Sequence, residues 1–238
     1  MALRGRPRNF DREDALGRAM DLFWRQGFDN TSLAQLTDAM GLKPPSLYAA
    51  FGSKEDLFKE ALDLYAETEG GGIWEQVPTA PTAREAVAGM LKATARAFTR
   101  GPGKRGCMMV LAAPQMQGGN PAVCDELKRR RRQGAAILQA RLERAVAEGE
   151  LAPGTDCKAI ANYYVTLQHG MSIQARDGAS RATLLAVADC AMAGWDDLTG
   201  VRPPDVRPPG VRPPGVRPPG VRREIGRASC RERVLRLV

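Results

Sequence analysis

Apolar residues along residues 1–200 recur at spacings of three and four rather than two, the signature of helices, and no stretch alternates as a half-buried strand does. The pattern predicts an all-α chain. A first helix starts near Asp11, with Glu13 and Asp14 in its first turn; Leu16, Met20 and Phe23 share one face and Gly27 ends it. Ser32-Leu33-Ala34-Gln35 reads as a capping box, with Thr31 the alternative cap. It opens a helix of two to three turns carrying Leu33, Leu36 and Met40 and closed by Gly41. Pro44 suits the first position of a third short helix bearing Ser46, Leu47, Tyr48 and Phe51. Ser53 caps a fourth, with Leu57, Phe58, Leu62 and Tyr65 inward.

Further on, Thr82-Ala83-Arg84-Glu85 is a second capping box before Val87, Met90, Leu91, Thr94 and Phe98. Asn120-Pro121 opens a long helix to about Gly149. Asp156 caps one running to about Ala175, and Ser180 one running to about Leu198. Within the long helix, Lys128 to Arg132 form five consecutive cations. At 100° per residue they spread around the helix, and Asp125 and Glu126 stand four positions before Arg129 and Arg130, so ion pairs on a solvated face are expected.

Two short helices joined by a glycine turn and flanked by longer ones form a helix-turn-helix pattern. The residues GRPRNF and ALGRAMDLFWRQGFDNTSLAQLTDAMGLKPPSLYAAFGSKEDLFKEAL resemble the N-terminal domain of TetR family transcriptional regulators over about residues 5–62. Lys43, Pro44 and Pro45 depart from the Ser and Gly the family often has there. The resemblance implies an N-terminal helix-turn-helix DNA-binding domain with a basic arm (1–55). A helical effector-binding and dimerisation domain follows (56–200).

Phosphate contacts position a DNA reader and base-edge contacts give it specificity. Thr31 and Ser32 at a helix N-terminus, Tyr48 on the recognition helix and Lys54 are the expected backbone ligands. Arg4, Arg6 and Arg8 form an arm suited to the minor groove. Lys43, Pro44, Pro45 and Ser46 are expected to face the major groove, with thymine methyls and DNA shape contributing to specificity. By resemblance, the last two helices pair with their copies in a homodimer, Gly170, Ala188 and Ala191 allowing close approach. A two-fold protein implies a palindromic double-stranded operator. The middle helices are then expected to hold a small-molecule effector among Phe98, Met108, Met109, Met116, Tyr163, Tyr164 and His169. Cys107 follows a loop holding Lys104 and Arg105, which would lower its pKa and make it a redox or electrophile sensor, an alternative way to regulate. A DNA-binding architectural protein without a ligand is the other alternative.

Composition narrows the picture. The chain has 238 residues and a net charge of +8. Beyond residue 200, ten arginines stand against three acids, which leaves 25 basic and 24 acidic residues in the first 200. Bulk charge therefore says almost nothing about DNA binding, and local placement must. Residues 201–238 begin as a five-residue VRPPG-type repeat, expected to be a disordered Pro/Arg tail. Residues 224–234 resemble translated sequencing-adapter DNA, an assembly artefact. The longest uncharged apolar run, Cys107 to Ala113, is far short of the roughly 18 residues that a membrane span needs. The N-terminus lacks a secretory apolar segment, so a cytoplasmic location is expected. One histidine and five scattered cysteines give no metal-site spacing, and no cofactor is implied. Gly101-x-Gly103-x-x-Gly106 matches a dinucleotide fingerprint as text, but the segment before it is helical, and no other enzyme motif is present.

Overall fold

A computed structural model describes residues 10–101, 106–112 and 119–200. Its elements are α1 (Arg12–Gln26), α2 (Leu33–Met40), α3 (Pro44–Phe51), α4 (Lys54–Tyr65), α5 (Ala83–Ala97), α6 (Met108–Leu111), α7 (Pro121–Ala147), α8 (Cys157–Arg176), α9 (Arg181–Ala193) and α10 (Trp195–Thr199). No helix among the described residues is long and apolar enough to cross a membrane. The arm arginines, Met116, Lys104, Arg105 and the repeat tail lie outside the described residues.

The helices start where short-range chemistry says they should. Asp11 accepts from the N–H groups of Glu13 and Asp14, and Ser53 from that of Asp56. Both capping boxes, Ser32 with Gln35 and Thr82 with Glu85, are closed reciprocally. Asn120, Asp156 and Ser180 cap α7, α8 and α9 in the same way. The ends differ in two places. After Tyr65 the chain widens into a π-turn at Ala66–Gly70 and then tightens into a 3₁₀ turn at Gly71–Ile73, where three consecutive glycines stop α4 from continuing. The last predicted helix breaks at Gly194, and α10 follows as a separate turn.

Two apolar clusters organise the fold. One unites α1–α4 around Phe23, Phe28, Leu47, Phe51 and Phe58, and takes in Met108, Ala112, Val123 and Leu127 from α6 and α7. Phe23, Phe28 and Phe58 meet edge-on or stacked, with centroids 5.0–6.1 Å apart. Because Leu57, Phe58, Ala61, Leu62 and Tyr65 all belong to this cluster, the packing unit of the head runs through α4 and past residue 55. The second cluster joins α5, α7, α8 and α9.

The seam between the clusters is narrow. The N–H of Phe28 donates to the Ala112 carbonyl at 2.9 Å, while Gly27, at φ 80°, lets that carbonyl come within 2.6 Å of where a Cβ would stand. Only glycine tolerates both the backbone conformation and the approach. Gly27→Ala is therefore expected to destabilise the chain by on the order of 2 kcal/mol. That corresponds to a fall of roughly 4–8 °C in Tm, measurable by thermal unfolding followed by circular dichroism.

Candidate nucleic-acid interface and interhelical cavity

The head presents α3 outward. Lys43, Pro44, Pro45 and Ser46 are exposed and Tyr48 is 47% exposed, whereas Leu47 and Phe51 are buried beneath them. Lys43 stands at the N-cap without a side-chain cap bond, and prolines occupy the first two positions, so no side chain of the helix blocks its N-terminal turn. Gly41, in the left-handed conformation, makes the sharp turn from α2 while the Leu42 N–H closes on Thr37. Arg12 sets the angle of α3 against α1 and α4. Its Nη2 donates to both Glu60 oxygens at 2.8 and 2.7 Å and reaches the Ala50 carbonyl, and the guanidinium lies 4.5 Å from the Phe51 ring centre. Sequence reasoning missed this role, since nothing local links Arg12 to a carboxylate 48 residues away.

Two of the expected phosphate ligands are turned inward. Thr31 is fully buried, its hydroxyl donating to the Gly27 carbonyl at 2.6 Å, so it ties off α1 instead of facing DNA. Lys54 sends its Nζ 2.7 Å to the Phe28 carbonyl and over the Phe28 ring at 4.2 Å. Burial pushes its pKa down, against the pull of Asp29 and Glu55. Its aromatic seat holds the start of α4 to the α1–α2 corner. Ser32 remains exposed at the α2 N-terminus, though its hydroxyl also accepts the Gln35 N–H.

A cavity of about 230 Å³ lies between α4, the turns after it, α6, α7 and α8. Ile73, Trp74, Val110 and Ile137 give it apolar walls, and Tyr65, Cys107, Arg131, Gln168 and His169 bring polar atoms. Trp74 packs so closely on α7 that a Cβ at Gly134 would stand 2.8 Å from its ring. Of the effector-pocket residues expected from sequence, Met109 and His169 line this space. Phe98 and Tyr164 are buried in the second cluster, Tyr164 against Trp195, and Met108 is buried in the first; each spends its surface on packing. Tyr163 faces outward, 47% exposed. Sequence reasoning did not assign Trp74 or Arg131 to the cavity.

Cys107 lines the cavity with a chemistry opposite to the expected one. Burial pushes the thiol up, outweighing the hydrogen bond from Tyr65, so at neutral pH it rests protonated and is not a ready nucleophile. Burial likewise raises the Tyr65 phenol well above its ordinary range and lowers His169, which stays neutral near pH 7. No group of three or more His, Cys, Asp or Glu among the described residues is placed to hold a metal ion.

The cation run on α7 divides by direction. Lys128 pairs with Asp125 at 3.0 Å, Arg129 and Arg130 both pair with Glu126 at 2.6 and 2.5 Å, and Arg130 also reaches Asp63. Arg130 and Arg131 both line the cavity, but Arg130 is held by Glu126 and Asp63, whereas the Arg131 Nη1 donates to the Met109 carbonyl at 2.8 Å. The cavity and the head are joined by hydrogen bonds at either end of α6. The Cys107 N–H donates to the Ser172 hydroxyl at 2.7 Å, Ala112 meets Phe28, and Arg176 of α8 donates to the Trp24 carbonyl at 2.9 Å.

A short, outward-facing helix on a glycine turn, fixed to a helical body, defines a helix-turn-helix DNA-binding regulator. The chain belongs to the tetR family of bacterial regulatory proteins. The model of that family matches residues 15–61, and that of the tetracyclin repressor-like C-terminal domain matches residues 83–187. It is 36% identical over 196 residues to the HTH-type transcriptional repressor ComR of Escherichia coli (strain K12), covering 82% of this chain and 93% of ComR. It is 32% identical over 202 residues to the repressor BdcR of the same strain, covering 80% and 90%. Among solved structures it resembles the TetR family regulator CifR, a cysteine mutant complexed with a 26-base-pair double-strand operator. There the identity is 46% and the TM-score 0.76, over 80% of this chain and all of that one.

Lys54→Met is expected to lower stability by about 1–2 kcal/mol, by orphaning the Phe28 carbonyl, and to leave the salt dependence of DNA binding unchanged. Thermal unfolding together with affinity measured against salt checks both; an unchanged Tm with a shallower salt slope would return Lys54 to the phosphate contacts. Glu126 is drawn from 4.5 to about 2 by the hydrogen bond from Arg129, with Arg130 adding to it. A depressed carboxylate stabilises the fold fully above its unfolded pKa and loses that contribution as pH falls through the folded one. The Tm of the parent chain should therefore fall more steeply between about pH 5 and pH 2 than that of Glu126→Gln, as differential scanning calorimetry would show.

Proposed function

We propose that the chain acts in the cytoplasm as a homodimeric repressor that occupies a palindromic double-stranded operator and is released by a small effector in the interhelical cavity. The observation that carries this reading is the division of α3, which commits Leu47 and Phe51 to the core and offers Lys43, Pro44, Pro45, Ser46 and Tyr48 to a groove. Lys43 and Ser46 bring the hydrogen-bonding groups and the two prolines an apolar surface for thymine methyls. Ser32 and Tyr48 contact phosphates, and Arg4 and Arg6 extend to the minor groove. The DNA-binding unit comprises the basic arm and α1–α4, and the remaining helices form the effector and dimerisation body. The chain is a binding protein with no catalytic role.

A second copy is supported by α8, where Tyr163 and Ile173 are exposed and Gly170 has open space where a Cβ would point. Those three positions share one helix face. Ala188 and Ala191, expected at the dimer contact, instead pack inside their own chain. Effector binding favours the conformation it fits best, and the head follows through α6.

Selection of random duplex DNA by the purified protein is expected to enrich a palindrome, and failure to enrich one at moderate salt overturns the reading. On that palindrome, Tyr48→Phe should weaken binding about 3- to 10-fold at all sequences, the loss of a hydrogen bond. Ser46→Ala should relax preference at one position of each half-site, and Lys43→Ala should lower the salt slope by about 1 for each half-site.

A further inference from the structure

We propose that the interhelical cavity takes a small organic anion with an apolar body, its acid group held by Arg131. The inference rests on reading that cavity as the effector site and adds the chemical class of the effector.

Arg131 is a half-buried cation that meets no carboxylate among the described residues. Its neighbours on α7 are matched with Asp125, Glu126 and Asp63, yet among the described residues no carboxylate pairs with Arg131. A guanidinium carries five N–H donors, and one protein acceptor, the Met109 carbonyl, is met here. Its other nitrogens are not among the polar atoms sealed in the interior without a partner, so they stay accessible. Burial lowers its pKa, and the opposing pull of the Cys107 and Cys124 thiols is the smaller effect.

Leaving a cation against apolar walls costs free energy that a carboxylate would offset through two parallel charge-assisted bonds. The space around Arg131 is divided accordingly. On one side stand Ile73, Trp74, Val110 and Ile137, which suit an aliphatic or aromatic body. On the other, Arg131 and His169 also line a cleft of about 250 Å³ with Lys128, Arg132, Asn162 and Thr166, a cationic and hydrogen-bonding approach to the same group. At about 230 Å³ the cavity falls below the roughly 300 Å³ at which drug-sized sites begin. A single ring or a medium-length chain is the fitting body.

Titration calorimetry of the full chain with benzoate, phenylacetate and octanoate, each against its uncharged primary amide, tests the proposal. At least one acid should bind, at least tenfold more tightly than its amide. Arg131→Gln should abolish that preference and Arg131→Lys, which keeps charge but not the fork, should retain part of it. Arg129→Gln, which changes an exposed cation on the solvent side, should leave the preference intact, and circular dichroism confirms that each variant is folded. Equal binding of acid and amide, no binding of any acid at millimolar concentration, or an undiminished preference in Arg131→Gln overturns the proposal. Operator affinity is read in parallel on the selected palindrome. Acid binding that releases DNA supports both readings, and acid binding that leaves DNA bound keeps the anion site while removing its effector role. Failure to select any palindrome sinks the regulator reading without touching the calorimetry.

Discussion

The peptide at Phe28 is the joint on which the rest depends. Its N–H is held by Ala112 at the end of α6 and its carbonyl by the Lys54 ammonium at the start of α4, while its ring packs against Phe23 and Phe58. Body, reading head and the helix between them thus meet at one residue, a few positions before Ser32 opens α2. A buried backbone group left unpaired costs as much as a lost hydrogen bond, so a shift of α6 cannot leave the α1–α2 corner where it was without that cost. Gly27 makes the joint possible, because any side chain there would collide with the Ala112 carbonyl.

That joint explains why two residues with DNA-ready chemistry face inward. A threonine hydroxyl and a lysine ammonium suit phosphate as well as they suit a carbonyl oxygen, and the choice depends on what lies nearby in space. At Thr31 it is the Gly27 carbonyl, one helical turn back; at Lys54 it is Phe28, 26 residues away. Electrostatics at the surface therefore falls to fewer groups, in keeping with the near-neutral balance of the first 200 residues.

What was legible in the sequence was local. Caps at Asp11, Ser32, Ser53, Thr82, Asn120, Asp156 and Ser180 act within a single turn, so the spacing of a few residues announces them, and the outward course of Lys43 to Ser46 follows from the buried positions of Leu47 and Phe51. The cavity was mostly illegible because its walls come from four separate stretches of chain. Methionine and aromatic content pointed to Phe98, Met108 and Tyr164, but those residues fill cores, which is what large apolar side chains usually do. Arg131 is the sharpest case. In a run of five cations no spacing rule shows which members leave the solvated face; the phase of α7 against α6 turns Arg130 and Arg131 inward, and of these two only Arg130 meets carboxylates among the described residues.

The same distinction between intrachain and interchain demand bears on assembly. Small residues on α9 suggested close approach to another copy, yet Ala188 and Ala191 are consumed by the helices of their own chain, where α5 lies against α9. Surface that a chain does not consume is the better guide to a partner, and on α8 that surface is aromatic and branched at Tyr163 and Ile173, around an open Gly170. A helix carrying such a stripe can meet an identical helix across a two-fold axis, since each copy supplies both ridge and gap. Arg176, near the end of that helix, is bonded to the Trp24 carbonyl in α1, so a rotation of one α8 against its copy would pull on the head directly. Coupling between the paired bodies and the spacing of the two reading heads then needs no device beyond the hydrogen bonds already in place.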